Sequence, residues 1–172
     1  AYAHSKRIVH RDLKPANVLV GDFGEIVVID WGLAKDLDDD SPDSLPGTRT
    51  ERDRPRSPTA SEEPILTVAG AVMGTPAYMP PEQARGEPVD ERADVFSLGA
   101  MLYHLVAGAS PYAAKTATDV IAAAIEGKVE PLAKRAPDAP ADLTAIIARA
   151  MAHEPAARYP TAQALAEELR RF

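Results

Sequence analysis

Apolar positions fall into two blocks separated by a long polar stretch. From residue 1 to residue 35 the pattern is compact. Residues 1–5 read as the end of a helix whose beginning is missing, so the chain is expected to start inside a domain. Two short β-rich runs, 18–20 and 26–29, flank Gly21-Asp22-Phe23-Gly24-Glu25 and predict a hairpin. The register expected for it sets Val18 against Ile29, Leu19 against Val28 and Val20 against Val27, which brings Asn17 opposite Asp30 at the open end. Residues 36–64 are almost all Asp, Ser, Pro, Arg, Thr or Glu, and only Leu37, Leu45 and Ala60 can bury anything. Such a segment cannot offset its ordering entropy and is expected to be a disordered insert.

After Ile65 the apolar pattern returns and runs to the end. Asp90 predicts the cap of a helix reaching Ala107, stopped by Gly108. Within it Val95, Phe96, Leu98, Met101, Leu102, Leu105 and Val106 fall on more than one face, the mark of a helix buried at the centre of a domain. Further helices are predicted over 117–126 with Gly127 as stop, over 141–152, and over 162–172 with Thr161 as cap.

Composition narrows the function classes. The 172 residues suffice for one domain with a sizeable core, and 26 acidic against 19 basic residues give a formal net charge of −7. That balance disfavours nucleic acid or an anionic membrane as main partner. The absence of cysteine removes disulfides, thiolate zinc sites and cysteine nucleophiles together, and fits a reducing, cytoplasmic setting. No apolar run is long enough to span a bilayer and no start resembles a signal peptide, so the chain reads as soluble, with any membrane anchor of the parent protein outside it.

The chemistry concentrates in His10-Arg11-Asp12-Leu13-Lys14-Pro15-Ala16-Asn17. With Asn17 facing Asp30, an amide oxygen and a carboxylate stand side by side, a pair of hard ligands suited to magnesium. Asp12 and Lys14, just upstream, offer a base and a phosphate-seeking cation.

This stretch, followed by Asp30-Trp31-Gly32, resembles the catalytic and metal-binding loops of eukaryotic-type protein kinases. The resemblance implies a fold that is α+β but mainly α: a kinase C-terminal lobe spanning 1–172, with a short hairpin carrying the two loops. It implies that Asp12 accepts the substrate hydroxyl's proton, that Asn17 and Asp30 hold Mg2+ (Mn2+ being possible), and that Lys14 stabilises the transferring γ-phosphate of ATP. Lys14 also favours the serine/threonine branch. Leu19 is expected under the adenine ring, and His10 and Trp31 in the packed spine. A literal Asp-Phe-Gly occurs at Asp22-Phe23-Gly24, but it sits at the hairpin turn, roughly 16 Å of strand from Asn17, and is expected to be a decoy.

Two later blocks extend the resemblance. Gly74-Thr75-Pro76-Ala77-Tyr78-Met79-Pro80-Pro81-Glu82 is similar to the substrate-docking loop and Ala-Pro-Glu motif, with Pro80 in place of alanine. It implies a contact from Thr75 to the catalytic pair and a buried ion pair between Glu82 and Arg158. Tyr78, flanked by prolines, is expected to pack and not to be a phosphosite. Asp94-Val95-Phe96-Ser97-Leu98-Gly99 is similar to the start of the family's central helix, whose aspartate anchors the catalytic-loop backbone. Arg11 is of the type that receives an activation-loop phosphate, and Thr67 is the expected acceptor of that phosphate. The whole most resembles the eukaryotic-like serine/threonine kinases of bacteria.

Two departures qualify this reading. Trp31 stands where phenylalanine is usual, and a larger ring in a packed spine is expected to cost about 1–3 kcal/mol. No Gly-rich loop, ATP-positioning lysine or helical glutamate partner can be placed, so the missing N-terminal lobe is an implied partner and the isolated chain is expected to be inactive. Protein substrates carrying serine or threonine are the implied acceptors. A pseudokinase or interaction scaffold, and a small-molecule kinase of related fold, are the alternative readings.

Overall fold

A computed structural model describes residues 1–38 and 75–172. In chain order the elements are α1 (Tyr2–Ser5), β1 (Ile8–Val9), β2 (Val18–Val20), β3 (Ile26–Val28), β4 (Lys35–Asp36), α2 (Pro81–Ala84), α3 (Glu91–Ala107), α4 (Ala117–Glu126), α5 (Leu132–Arg135), α6 (Ala141–Ala150) and α7 (Ala162–Arg171). Single 3-10 turns lie at Pro15–Asn17, Trp31–Leu33, Pro76–Tyr78 and Pro155–Ala157; extended Lys14, Thr75 and Glu154 precede three of them and left-handed Asp30 precedes the other. The fold is mainly α, with two small antiparallel sheets.

The longer helices begin and end where their capping residues predict. The Asp90 side chain accepts from Arg92 N, Thr116 from Asp119 N and Thr161 from Ala164 N, each satisfying one of the orphan donors of a first turn. Gly108 and Gly127 take left-handed conformations at the ends of α3 and α4. Helix α6 stops at Ala150, two residues short of the expected end, and α7 stops at Arg171.

The core explains why α3 is apolar on several faces. Phe96 and Ala100 pack with Met79, Ala84, Tyr112 and Ala124; Val95 packs with Ile146, Ala150, Tyr159 and Leu165; Tyr103 packs with Leu132 and Ile147. One helix thus serves three clusters. At Gly99 the backbone of α3 meets α6 so closely that an added Cβ would stand 2.8 Å from Ala150 Cβ. Among the described residues no helix is long and apolar enough to cross a membrane.

One buried polar atom stands out in the first cluster. Tyr112 is 1% exposed, its ring stacks on Phe96 at 6.4 Å, and its hydroxyl has no hydrogen-bond partner among the described residues. Burial pushes its phenol well above the usual range. A buried hydroxyl without a partner carries its desolvation cost uncompensated. Tyr112→Phe is therefore expected to raise stability by about 1 kcal/mol, read as a higher urea midpoint at unchanged slope.

Three sequence expectations are corrected here. The hairpin exists, but β2 pairs with β3 as Val18↔Val28, Leu19↔Val27 and Val20↔Ile26, one residue away from the expected register. The turn decides this. Gly21 N donates to Glu25 O, so the loop holds three residues, with Gly24 left-handed at φ 83° as such a loop requires. The backbone partner of Asn17 is consequently Ile29, whose N–H donates to Asn17 O at 2.9 Å, and Asp30 lies one step beyond. Second, the first residues of the polar insert are ordered: Asp36 pairs with Ile8, Leu37 N donates to Arg7 O, and the Asp38 carboxylate meets Arg7 at 3.3 Å. The remainder of the insert, and Thr67, lie outside the described residues. Third, Trp31 is 44% exposed. Its ring meets His10 at 4.6 Å in a tilted contact and its Nε1 donates to Val28 O, so among the described residues it is not fully packed.

Candidate active site

The site begins with a strained turn. Arg11 has φ 66°, a left-handed conformation that costs a residue with a side chain about 1–3 kcal/mol and persists only where its surroundings fix it. Here they do. Asp94, 3% exposed on α3, accepts from His10 N at 2.9 Å on one carboxylate oxygen and from Arg11 N at 3.0 Å on the other. Gln83 Nε2 donates to Arg11 O at 2.7 Å, and Arg11 Nε donates to Leu33 O at 2.6 Å. His10, 1% exposed, lies with Nε2 3.0 Å from Ile29 O. A carbonyl can only accept, so the proton is on Nε2 and Nδ1 is left to accept from Asp12 N at 3.3 Å.

That turn delivers Asp12. Its carboxylate accepts Thr75 N at 2.8 Å on one oxygen; the other faces Lys14 Nζ at 3.2 Å and Asn17 Nδ2 at 3.3 Å. Lys14 Nζ also donates to Thr75 Oγ at 2.8 Å. Pro15 opens the single turn that carries Asn17 back over the loop, where Nδ2 donates to the Asp12 carbonyl at 2.8 Å. Asp12, Lys14, Asn17 and Thr75 thus form one hydrogen-bonded group, although Thr75 is 63 positions from Asp12 in sequence. The arrangement is a buried carboxylate, 8% exposed, held at both oxygens beside the Lys14 ammonium.

The donor set also fits a hard cation. The amide nitrogen of Asn17 is committed to Asp12, which leaves Oδ1 as its ligand-type atom. Asp30 is exposed and left-handed at φ 61°, and its Oδ1 lies over Gly32, where a Cβ would approach to 3.3 Å. Among the described residues no three His, Cys, Asp or Glu side chains cluster as a metal cage. Asp22 sits in the hairpin turn, exposed, next to Phe23 at 96% exposure. Leu19 is 51% exposed on β2.

Behind the site, Glu82 and Arg158 make a buried bidentate pair at 2.6 and 2.8 Å. The remaining guanidinium donors reach Ala152 O, Arg92 O and His153 O, so the whole fork is used, and it lies 4.9 Å over the Phe96 ring. The pair ties the segment after Thr75 to the loop before α7.

Residues 1–169 match the family described as Protein kinase domain. The chain belongs to that family. Its kinase relatives include the tyrosine-protein kinase MasK of Myxococcus xanthus, 37% identical over 96% of this chain and 22% of MasK. Serine/threonine-protein kinase PknD of Protochlamydia amoebophila is 42% identical over 65% of this chain and 11% of its own length. PknD of Chlamydia abortus is 35% identical over 98% and 17%. The kinase domain residues described here therefore span less than a quarter of each of these relatives.

Several contacts of this kinase site carry no signal in the sequence. His4 Nε2 lies 2.9 Å from Asp94, adding a third donor to the carboxylate that holds the loop. Tyr78 Oη meets His104 Nδ1 at 2.6 Å. Only the helical spacing of Ser97 and His104 on α3 hints that one stripe of that helix faces the segment after Thr75.

Proposed function

We propose that this chain is the C-terminal lobe of a protein kinase that transfers the ATP γ-phosphoryl group to serine or threonine hydroxyls of proteins. The observation that carries the reading is the group formed by Asp12, Lys14, Asn17 and Thr75. ATP with its magnesium, or manganese, supplies the transferable phosphoryl group when bound. Asp12 takes the proton of the acceptor hydroxyl on a carboxylate oxygen already oriented by Thr75 N or by Asn17 Nδ2. Lys14 places a positive charge at the point where negative charge gathers. Asn17 Oδ1 and the Asp30 carboxylate are the cation ligands. Thr75, bonded to both Asp12 and Lys14, sets the floor on which the acceptor segment lies.

A second part of the reading concerns the apolar hairpin. Leu19, Val20, Ile26 and Val27 are each at least half exposed, an apolar surface that water covers poorly. An N-terminal lobe seated there covers it and places Leu19 against the adenine ring. The isolated chain, without that lobe, is expected to transfer little or no phosphate.

The test uses the full-length protein, labelled ATP and Mg2+. Wild type is expected to phosphorylate protein acceptors, with phosphoserine or phosphothreonine in the hydrolysate; phosphotyrosine alone would reassign the acceptor class, as the name of MasK suggests for that relative. Asp30→Ala is expected to abolish transfer, whereas Asp22→Ala leaves it nearly intact. The reverse result would make the turn aspartate the ligand and overturn the assignment.

A further inference from the structure

Arg7 occupies a position suited to glycine. It follows the short helix α1 with φ 57°, a left-handed conformation that glycine adopts without strain and that a residue with a Cβ does not. Contacts at both of its ends hold an arginine there. Its carbonyl accepts from Leu37 N at 2.9 Å, next to the pairing of Ile8 with Asp36 and of Val9 with Lys35. Its guanidinium donates through Nη1 to Glu91 Oε1 at 2.6 Å and through Nε to Asp38 Oδ1 at 3.3 Å.

The two carboxylates belong to different parts of the fold. Glu91 opens α3 one turn before Asp94, which holds His10 N and Arg11 N, and the Glu91 side chain is only 16% exposed. Asp38 lies just past β4 in the stretch that leaves Asp30, with its N–H donating to Asp36 Oδ1 at 3.0 Å. From Asp30 the chain makes the Trp31–Leu33 turn, where Leu33 O accepts from Arg11 Nε, and then runs beside β1 as far as Arg7. Arg11 thus holds the first half of that stretch and Arg7 the second. Both are tied to α3, Arg11 through Asp94 and Arg7 through Glu91.

We infer that Arg7 is a positioning residue for Asp30: its contacts with Glu91 and Asp38 fix the downstream end of the metal loop against α3 and so narrow the range over which the Asp30 carboxylate moves. The inference rests on the proposed kinase function. The Asp38 side of the tie is exposed, so the effect is modest and weakens as salt rises.

The test uses the full-length protein and two readouts. Arg7→Gly keeps the left-handed backbone without its strain and removes both side-chain contacts, so gain and loss offset and the Tm is expected to stay within about 3 °C of wild type. Hydrogen exchange over residues 30–38, measured without nucleotide or metal, is expected to quicken about three- to fivefold, the scale of a surface ion pair. The Mg2+ concentration for half-maximal phosphoryl transfer is expected to rise by a similar factor, with the KM for the protein acceptor unchanged. Asp38→Asn loosens one contact of the same tie, and combined with Arg7→Gly it is expected to add nothing beyond Arg7→Gly alone. Unchanged exchange, an unchanged Mg2+ requirement in active enzyme, a fall in Tm that tracks both, or an additive double variant overturns the inference. Wild type that binds ATP with Mg2+ but transfers nothing overturns the kinase reading itself, whereas the exchange measurement needs no activity and still decides whether Arg7 holds the stretch after Asp30.

Discussion

Asp12→Asn in the full-length protein is expected to lower phosphoryl transfer about 10²- to 10⁴-fold while ATP binding survives, because the carboxylate acts on the acceptor hydroxyl and not on the nucleotide. Asparagine is nearly isosteric and can keep an oxygen toward Thr75 N, although its amide nitrogen then faces Lys14 Nζ and Asn17 Nδ2 and the ion pair with Lys14 is lost. What it cannot do is accept a proton. The measurement is turnover with a protein acceptor beside a direct binding assay for ATP. Near-wild-type turnover would remove Asp12 as the base, and loss of ATP binding would show that it serves the nucleotide instead.

The second large effect falls on stability. Arg158→Met is expected to cost about 3–5 kcal/mol, because Glu82 remains buried with no cation to face and three backbone carbonyls lose their donor. The double variant Glu82→Leu with Arg158→Met removes the stranded charge and is expected to recover a substantial part of that loss. Urea titrations of the wild type, the single variant and the double variant supply the numbers. A single-variant loss under about 1 kcal/mol, or a double variant no better than the single, would mean that the pair does not hold this part of the fold.

Much of the helical architecture was legible because caps are local. Asp90, Thr161, Gly108 and Gly127 each act within one turn of where they stand, and a sequence shows such things directly. The hairpin was legible as a pair of strands but not in its register. Its strands are three residues long and apolar on both faces, so no alternation between core and solvent sides fixes the pairing, and the loop length decides it. Short α2 and α5, each four residues with no side-chain cap, left no periodic pattern to read. Trp31 was expected to pack because its position resembles a packed one, and sequence says nothing of what covers a ring. The site residues themselves became readable through family resemblance; nothing in local pattern links Thr75 to Asp12, or Asp94 to Arg11, across the length of chain between them.

The hold of Asp94 on Arg11 bears on how the protein matures. The loop conformation that delivers Asp12 is locally unfavourable, and the carboxylate that accepts from Arg11 N arrives from α3, 83 positions later in the chain. Contacts of such separation form late in folding, after the entropy of closing the intervening loop has been overcome. A nascent or partly melted chain in which α3 has not docked therefore relaxes the turn at Arg11 and disperses the group around Asp12. Competence for chemistry is thereby made conditional on completion of the helical body, so that half-folded molecules are silent.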